Sequence, residues 1–326
     1  MPKDKIRAIT IARYGRNTKP ELTEKTVPSP KGKQLLIKVH AASINPRDWL
    51  LMRGIYPFKK LAEPFPITLG SDMSGTVTEV GSQVSSFKVG DQVFGMQPIR
   101  GKFGAFADYA LIEENAVALK PDGIGHTDAA AIPCAGLTAF QAIHSIAKLC
   151  KAETILINGA SGGVGSYAIQ IAKAVGANVV AVCGPDNIEL CKELGADTVI
   201  NYKDQKFENS KNEYDVIFDV IGRSSFKKCK TTLKKGGRYI TTIPAPNTVL
   251  TAFLSKLLYL NPFGKRQTAH LVLVKPRAED LACMASMMKS GKLRSLIDTI
   301  YSLDEAQTAF DKSQSWRTKG KLIFKG

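Results

Sequence analysis

The segment Asn158-Gly159-Ala160-Ser161-Gly162-Gly163-Val164-Gly165 concentrates glycine between the apolar run Thr154 to Ile157 and a helical spacing at Ala168, Ile171, Ala172 and Val175. A strand that enters a glycine turn and leaves as a helix exposes unpaired backbone N–H groups and the positive end of the helix dipole, which together can hold a pyrophosphate. The candidate contacts are Ser161, Gly162, Gly163, Val164 and Gly165. The strict GxGxxG spacing is not met, because Ala160 stands where the first glycine belongs. The same residues spell Gly159-x-Ser161-x-Gly163, the strand-to-helix elbow of serine hydrolases, with Asp219 and His270 as the acid and base in plausible order. Against that reading, His270 opens an apolar strand pattern, and an elbow has no use for Gly162 and Gly165.

A dinucleotide domain carries an acidic residue about 20 residues past the glycines, where it accepts hydrogen bonds from the adenine ribose of NAD. Here the second strand ends Val180-Ala181-Val182-Cys183. A thiol cannot serve as that acceptor, and the missing anion favours NADPH over NADH, with NADH still open. Asp186 lies three residues on and pulls the other way. Its pattern Asp186-x-x-Glu189 ahead of Ile188, Cys191 and Leu194 reads as a helix capping box.

These residues need elements to hold them. The chain has 326 residues, enough for about two domains with their own cores. Hydrophobic residues at 44% and charged residues at 23% exclude a disordered chain. Residues 1–127 show short β-patterned runs (Gln34 to Val39, Gly75 to Val80, Asp91 to Gly95, Phe106 to Ile112) among Gly, Pro and Ser, as in an irregular antiparallel β domain. Within residues 128–275 the texture changes to Val/Ile-rich runs alternating with helical periodicity: Thr154 to Ile157, Asn178 to Val182, Thr198 to Ile200, Tyr214 to Val220, Arg238 to Ile243 and Leu271 to Val274. That texture is the mark of a doubly wound parallel sheet buried on both faces. Residues 276–326, with a helix over Asp280 to Met288 and a strand at Lys321 to Phe324, are too few for a third domain and are expected to rejoin the first.

The longest apolar stretch, Val249 to Leu260, includes Lys256 and is too short to cross a bilayer. The N-terminal Met-Pro-Lys-Asp-Lys leads straight into the alternating run Ile6 to Ile11, so the expected compartment is the cytoplasm. Cys134, Cys150, Cys183, Cys191, Cys229 and Cys283 form no CxxC pair and read as buried small hydrophobes. The net charge of +16 attracts nucleotides or anionic surfaces, but the lysines are dispersed and not interleaved with aromatics. Peripheral contact with an anionic surface stays open, and a specific nucleic-acid partner is not expected.

The chain resembles the medium-chain dehydrogenase/reductase superfamily, and within it the zinc-free quinone oxidoreductase branch of zeta-crystallin-like and chloroplast-envelope oxidoreductase-like proteins. The matching segments are Ala42-Ser43-Ile44-Asn45-Pro46-Arg47-Asp48-Trp49, Leu69-Gly70-Ser71-Asp72-Met73-Ser74-Gly75, Val89 to Gly95, Ala135-Gly136-Leu137-Thr138-Ala139, Gly159 to Lys173, and Gly320-Lys321. The resemblance implies a mostly β GroES-like catalytic domain built from both chain ends, a Rossmann-type domain between them, and a homodimer. In the zinc-dependent relatives, residues near Asn45 and Ser71 and one matching Cys134 hold the metal. Only the cysteine is kept here, short of the three ligands a catalytic zinc needs, so no metal is expected.

Without a Lewis acid, alcohol oxidation is disfavoured. Reduction of a quinone or of the C=C bond of an α,β-unsaturated carbonyl compound, a small electrophile, needs only a hydride, a proton and donors for the developing oxyanion. The resemblance places Asn45 and Tyr56 near the nicotinamide as those donors. Asn45 ahead of Pro46 also reads as a turn former, and Tyr56 in Ile55-Tyr56-Pro57-Phe58 as a pocket wall. It places Thr138 on the nicotinamide side and Tyr202 near the adenosine 2′-phosphate. Cys183, Ile221 and Lys321 complete the candidate cofactor contacts, with Lys203, Lys319 and Lys321 as possible substitutes for the basic residue that relatives carry near Asp186. The runner-up activity is reduction of an enoyl thioester, which the positive charge would suit. A non-enzymatic NADPH-binding protein and the serine hydrolase rank lower.

Overall fold

The computed structural model describes residues 5–57, 59–62, 64–98, 104–244 and 267–326. Phe58, the N-terminal residues 1–4 and the apolar run Val249 to Leu260 therefore lie outside the described residues. Among the described residues no helix is long and apolar enough to cross a membrane.

The first part of the chain is mostly antiparallel β: β1 (Lys5–Ile11), β2 (Glu21–Thr26), β3 (Gln34–Ile44), the short helix α1 (Pro46–Met52), β4 (Ile67–Thr68), β5 (Asp72–Val80), β6 (Gln92–Met96), β7 (Tyr109–Glu113) and β8 (Val117–Leu119). Helices α2 (His126–Ala131) and α3 (Pro133–Phe140) follow. The middle of the chain holds β9 (Thr154–Asn158), α4 (Gly163–Val175), β10 (Asn178–Cys183), α5 (Ile188–Glu193), β11 (Thr198–Asn201), β12 (Tyr214–Asp219), α6 (Phe226–Cys229), β13 (Leu233–Thr241) and β14 (Thr268–Leu271). The last part adds α7 (Ala278–Lys289), β15 (Ile297–Tyr301), α8 (Ala306–Gln314) and β16 (Lys321–Lys325).

Two compact units result, one of residues 1–137 with 275–326, the other of residues 138–274. The first unit extends ten residues past the expected boundary at 127, because α2 packs on β3, β5 and β16 and so belongs with the β structure. In that unit the strands run in the order β15-β16-β3-β5-β6-β8, with β7 also on β3, beside a smaller β2-β1-β4 sheet. Ile9, Leu35, Ile37, Met73, Phe106, Phe310 and Phe324 fill its core. The return of the chain end is made by β16, which pairs antiparallel with β3 so that Leu322 faces Ile44.

The second unit is a parallel sheet in the order β11-β10-β9-β12-β13-β14. Numbered from its own first strand that order is 3-2-1-4-5-6, the dinucleotide-binding arrangement, whose direction of winding reverses beside β9. Helix α4 buries Ala168, Ile169, Ile171 and Ala172 and ends at Gly176, whose φ of 86° is the left-handed cap that glycine adopts without strain. The sixth strand begins at Thr268 rather than Leu271. Gln267 sets this register: its Nε2 donates to Leu233 O at 2.6 Å and Lys230 O at 2.8 Å, and Thr268 then pairs with Arg238.

Candidate functional site

In the second unit, β9 delivers the chain into the glycine loop. Gly159 and Ala160 donate to Val182 O at 3.1 and 3.0 Å, and Gly162 caps α4 in extended backbone. Gly159 has φ 89°, and a Cβ there would meet Ile221 Cγ2 at 2.6 Å. A Cβ on Gly165 would lie 2.2 Å from Gly159 O, so glycine is what lets helix and loop touch. At Gly162, by contrast, a Cβ would meet nothing nearer than 3.6 Å. That position opens outward at a helix start whose first N–H groups have no intrahelical acceptor. A pyrophosphate would fit this cradle, on the backbone N–H groups of Gly162, Gly163 and Val164.

The loop after β12 walls this cradle. Asp219, fully buried, accepts from Asn158 Nδ2 (2.9 Å), Gly222 N (3.0 Å), Ser224 N (2.9 Å) and Tyr239 Oη (2.8 Å), and thereby fixes Ile221 over Gly159. His270 instead meets Thr268 Oγ1 at 2.9 Å. The hydrolase reading falls on this geometry, because Asp219 orients backbone and has no histidine partner among these bonds, while Ser161 Oγ accepts from Asn187 Nδ2 at 3.1 Å.

At the end of β10, Tyr202 N donates to Cys183 O at 3.1 Å, and its side chain lies against Gly184, the hydroxyl oxygen 3.2 Å and the nearest ring carbon 3.4 Å from where a Cβ would stand. The Cys183 side chain is buried against Cys191, and the Cys191 thiol, which donates to it, is pushed up by that bond and by burial. Cys183 thus offers backbone, not a side chain, to this edge. Asp186 is not the cap of α5. Pro185 opens a tight turn over Pro185–Asn187, Asp186 falls inside it, and the helix starts at Ile188 behind Asn187. Asn187 went unnoticed in the sequence, since its tie to Ser161 joins two loops 26 residues apart. Thr138 is buried in α3.

The first unit carries a different kind of site. Strands β16, β3 and β5 lie side by side and bring Lys321, Asn45 and Asp72 together. Lys321 Nζ donates to Asn45 Oδ1 at 2.6 Å and Ile44 O at 3.0 Å. Asn45 Nδ2 donates to Asp72 Oδ2 at 2.9 Å and to Ser43 O at 3.2 Å. Ser43 and Ser71 hydroxyls also donate to Asp72, at 2.8 and 3.2 Å. Both amide hydrogens of Asn45 are therefore engaged inside the protein, and its place ahead of Pro46, capping α1, makes it a positioning group. Lys321 is 4% exposed, and pairing of β16 with β3 carries its ammonium into the β unit, onto Asn45 and Ile44.

Beside this network is a small recess open to solvent, lined by Arg47, Asp48, Leu51, Tyr56, Ser71 and Gln97 among others. Asp48 Oδ2 accepts the Asn45 N–H at 2.7 Å. Burial raises the Asp48 carboxyl to about 7, against the opposing pull of Arg47. Burial also raises the Tyr56 hydroxyl, which therefore stays protonated and able to donate at neutral pH. The Cys134 thiol is pushed up to about 11 by burial, with the Asp72 charge adding to it. A protonated thiol, an amide and a serine beside the Lys321 ammonium are a poor donor set for zinc. Among the described residues no group of three His, Cys, Asp or Glu side chains could hold a metal ion. The expectation that the cysteines are all buried holds for Cys183, Cys191 and Cys229 but not for exposed Cys150 and Cys283 or for half-buried Cys134.

Comparison with known proteins agrees with this architecture. Residues 31–122 match the alcohol dehydrogenase GroES-like domain, and residues 194–324 the zinc-binding dehydrogenase family. The chain is 38% identical over 307 residues to the chloroplast envelope quinone oxidoreductase homolog of Arabidopsis thaliana, covering 91% of each. It is 34% identical to the human mitochondrial NAD(P)H oxidoreductase RTN4IP1, over 89% of this chain and 81% of that one. It is also 34% identical to the tomato (Solanum lycopersicum) 2-methylene-furan-3-one reductase, over 91% and 73%. The solved structure of the quinone oxidoreductase from Coxiella burnetii superposes with a TM-score of 0.87 at 31% identity, covering 99% of both chains. With a dinucleotide cradle in one unit, a polar cavity in the other and relatives along its whole length, the chain belongs to the medium-chain dehydrogenase/reductase superfamily, in its quinone oxidoreductase branch.

Proposed function

We propose that this oxidoreductase reduces quinones or the C=C bond of α,β-unsaturated carbonyl compounds without a metal, and that it uses NADPH in preference to NADH. The observation that carries the reading is the buried Lys321–Asn45–Asp72 network, which commits Asn45, at one of the positions where the resemblance puts a metal donor in zinc relatives, to hydrogen bonds within the protein. A nicotinamide dinucleotide held at the glycine loop supplies the hydride. The chain's own part is to orient the pyrophosphate on the Gly162 to Val164 backbone, to wall the cradle with Ile221, and to present polar donors to the substrate oxygen. The names of the relatives, quinone oxidoreductases and an enone reductase among them, support this substrate class. The NADPH preference is supported by the absence of a carboxylate at Cys183 and by the Tyr202 ring beside Gly184.

The test is a cofactor-oxidation screen over quinones, enones and enoyl thioesters with NADPH and NADH, beside fluorescence titration of both cofactors. Quinone or enone turnover with tighter NADPH binding is expected. Faster turnover of an enoyl thioester would replace the substrate class, and tighter NADH binding would return the weight to Asp186.

A further inference from the structure

Arg47 is the second residue of α1, and its guanidinium borders the cavity shared with Asp48, Tyr56, Ser71 and Gln97. Its hydrogen bonds are long: Nη2 donates to Gln97 O at 3.4 Å, and Nη1 to the Met96 sulfur at 3.7 Å. Among the described residues it forms no ion pair. The carboxylates near it are committed elsewhere. Asp72 takes hydrogen bonds from Ser43, Asn45 and Ser71, and Asp48 takes the Asn45 N–H. A guanidinium has five N–H donors, and a half-buried cation with two weak contacts keeps strong donors for whatever enters the cavity.

The local charges point the same way. Lys321 and Arg47 are cations, and Asp72 and Asp48 are the carboxyl groups that act on Arg47. The Lys321 charge is tied to Asn45 and Ile44, and among the described residues Arg47 is the cation that lines the cavity.

We propose that Arg47 binds the oxygen that becomes anionic when the substrate is reduced, with a quinone as the case argued. The inference rests on the reductase reading for its substrate. Hydride delivered to one quinone oxygen forms an O–H bond, moves the carbonyl π electrons into the ring, which becomes aromatic, and leaves the second oxygen as a phenolate. One proton from solvent then completes the hydroquinone. That phenolate is planar and delocalised, as the guanidinium is, and accepts its N–H groups in the plane. Lysine would supply charge without the fork, and the apolar side chains that fill a pocket wall would supply neither. Tyr56, on the same cavity, adds a hydroxyl donor to the same oxygen.

A chromophoric phenol that titrates near neutrality, 4-nitrophenol, reports on this site in the full-length chain without cofactor or turnover. Its absorbance separates phenol from phenolate, so a pH titration at saturating protein gives the preference for the anion. The wild-type chain is expected to favour the phenolate by about tenfold or more, a downward displacement of one unit in the dye's ionisation. Arg47→Met should abolish the preference with an unchanged melting temperature, and Arg47→Lys should keep part of it. In quinone reduction, Arg47→Met should lower kcat/KM by about 10² to 10³ while KM for the nicotinamide cofactor stays put. Failure of the wild-type chain to bind the dye, equal binding of both forms, or an Arg47→Met chain that keeps the preference each overturns the proposal. If Arg47→Lys, folded, keeps the phenolate preference but Arg47→Met is unfolded, the lysine's reduced quinone turnover supports the fork and undiminished turnover overturns it. A wild-type chain that binds phenolate through Arg47 yet reduces neither quinones nor enones leaves the anion site standing and removes the reductase reading. Normal quinone turnover by Arg47→Met does the reverse.

Discussion

The glycine loop of the second unit and the polar cavity of the first bind by opposite means. The loop works with backbone: Gly162 is open, Gly159 and Gly165 are closed against Ile221 and the loop's own carbonyl, and α4 supplies N–H groups. The cavity works with side chains, Arg47, Asp48 and Tyr56 among them, beside a Lys321–Asn45–Asp72 network held by strands from distant parts of the chain. A backbone site has no room for an added atom at Gly159 or Gly165, and its N–H donors do not titrate. A side-chain site keeps its shape under small changes but depends on every proton.

The contrast is broken most severely at Gly165. Gly165→Ala puts a carbon 2.2 Å from Gly159 O, so the loop and α4 must part. Loss of cofactor affinity of at least about a hundredfold, roughly 3 kcal/mol, is expected in a fluorescence titration. Nitrophenolate binding in the other unit should survive. If Gly165→Ala binds cofactor normally, the cradle is not where the pyrophosphate lies.

Lys321→Met makes the converse cut. It leaves Asn45 Oδ1 and Ile44 O without their donor in a buried place, at a cost on the order of 2 to 3 kcal/mol, read as a lower melting temperature. Turnover should fall with it, while cofactor affinity remains. Intact turnover in a folded Lys321→Met chain would reduce the network to packing.

Asp48 sharpens the dependence on protons. Its carboxyl ionises at 3.8 in the unfolded chain and at about 7 when folded, so between those values the folded chain holds a proton that the unfolded chain has lost. Stability therefore falls as pH rises through this window, and the loss is complete above about pH 7; about three units correspond to at most about 4 kcal/mol. Asp48→Asn still accepts the Asn45 N–H and should flatten the decline of melting temperature over this range. An unchanged pH profile would mean that Asp48 is ionised in the fold at all these pH values.

The smallest effect is expected at Tyr56. Tyr56→Phe removes one donor from a cavity open to water, and a slowing of quinone or enone reduction by about tenfold is expected, less than the loss of a sole oxyanion donor, with cofactor affinity unchanged. Equal kcat and KM for parent and variant would leave Tyr56 as a wall of the pocket.

The same contrast explains what could be read beforehand. A backbone site writes itself into contiguous sequence: glycines between an apolar run and a helical spacing announce the loop, and the uninterrupted Val/Ile runs announce the parallel sheet around it. The cavity has no such local signature. Lys321 and Asn45 are 276 residues apart and meet only because β16 pairs with β3. Family resemblance singled out Asn45 and Tyr56, but nothing in their neighbourhood shows that both amide hydrogens of Asn45 are spent on Ser43 and Asp72, or that Arg47 beside them keeps its donors. Asp186 misled for a similar reason, since a capping pattern cannot register that Pro185 starts its own turn first.

The most direct test of chemistry by protein donors rather than a metal is quinone-dependent cofactor oxidation by chain stripped with a chelator, with zinc measured by elemental analysis in the same sample. Turnover undiminished in protein with far less than one zinc per chain is the expected result. One tightly held zinc per chain, lost together with activity and restoring it when returned, would contradict it.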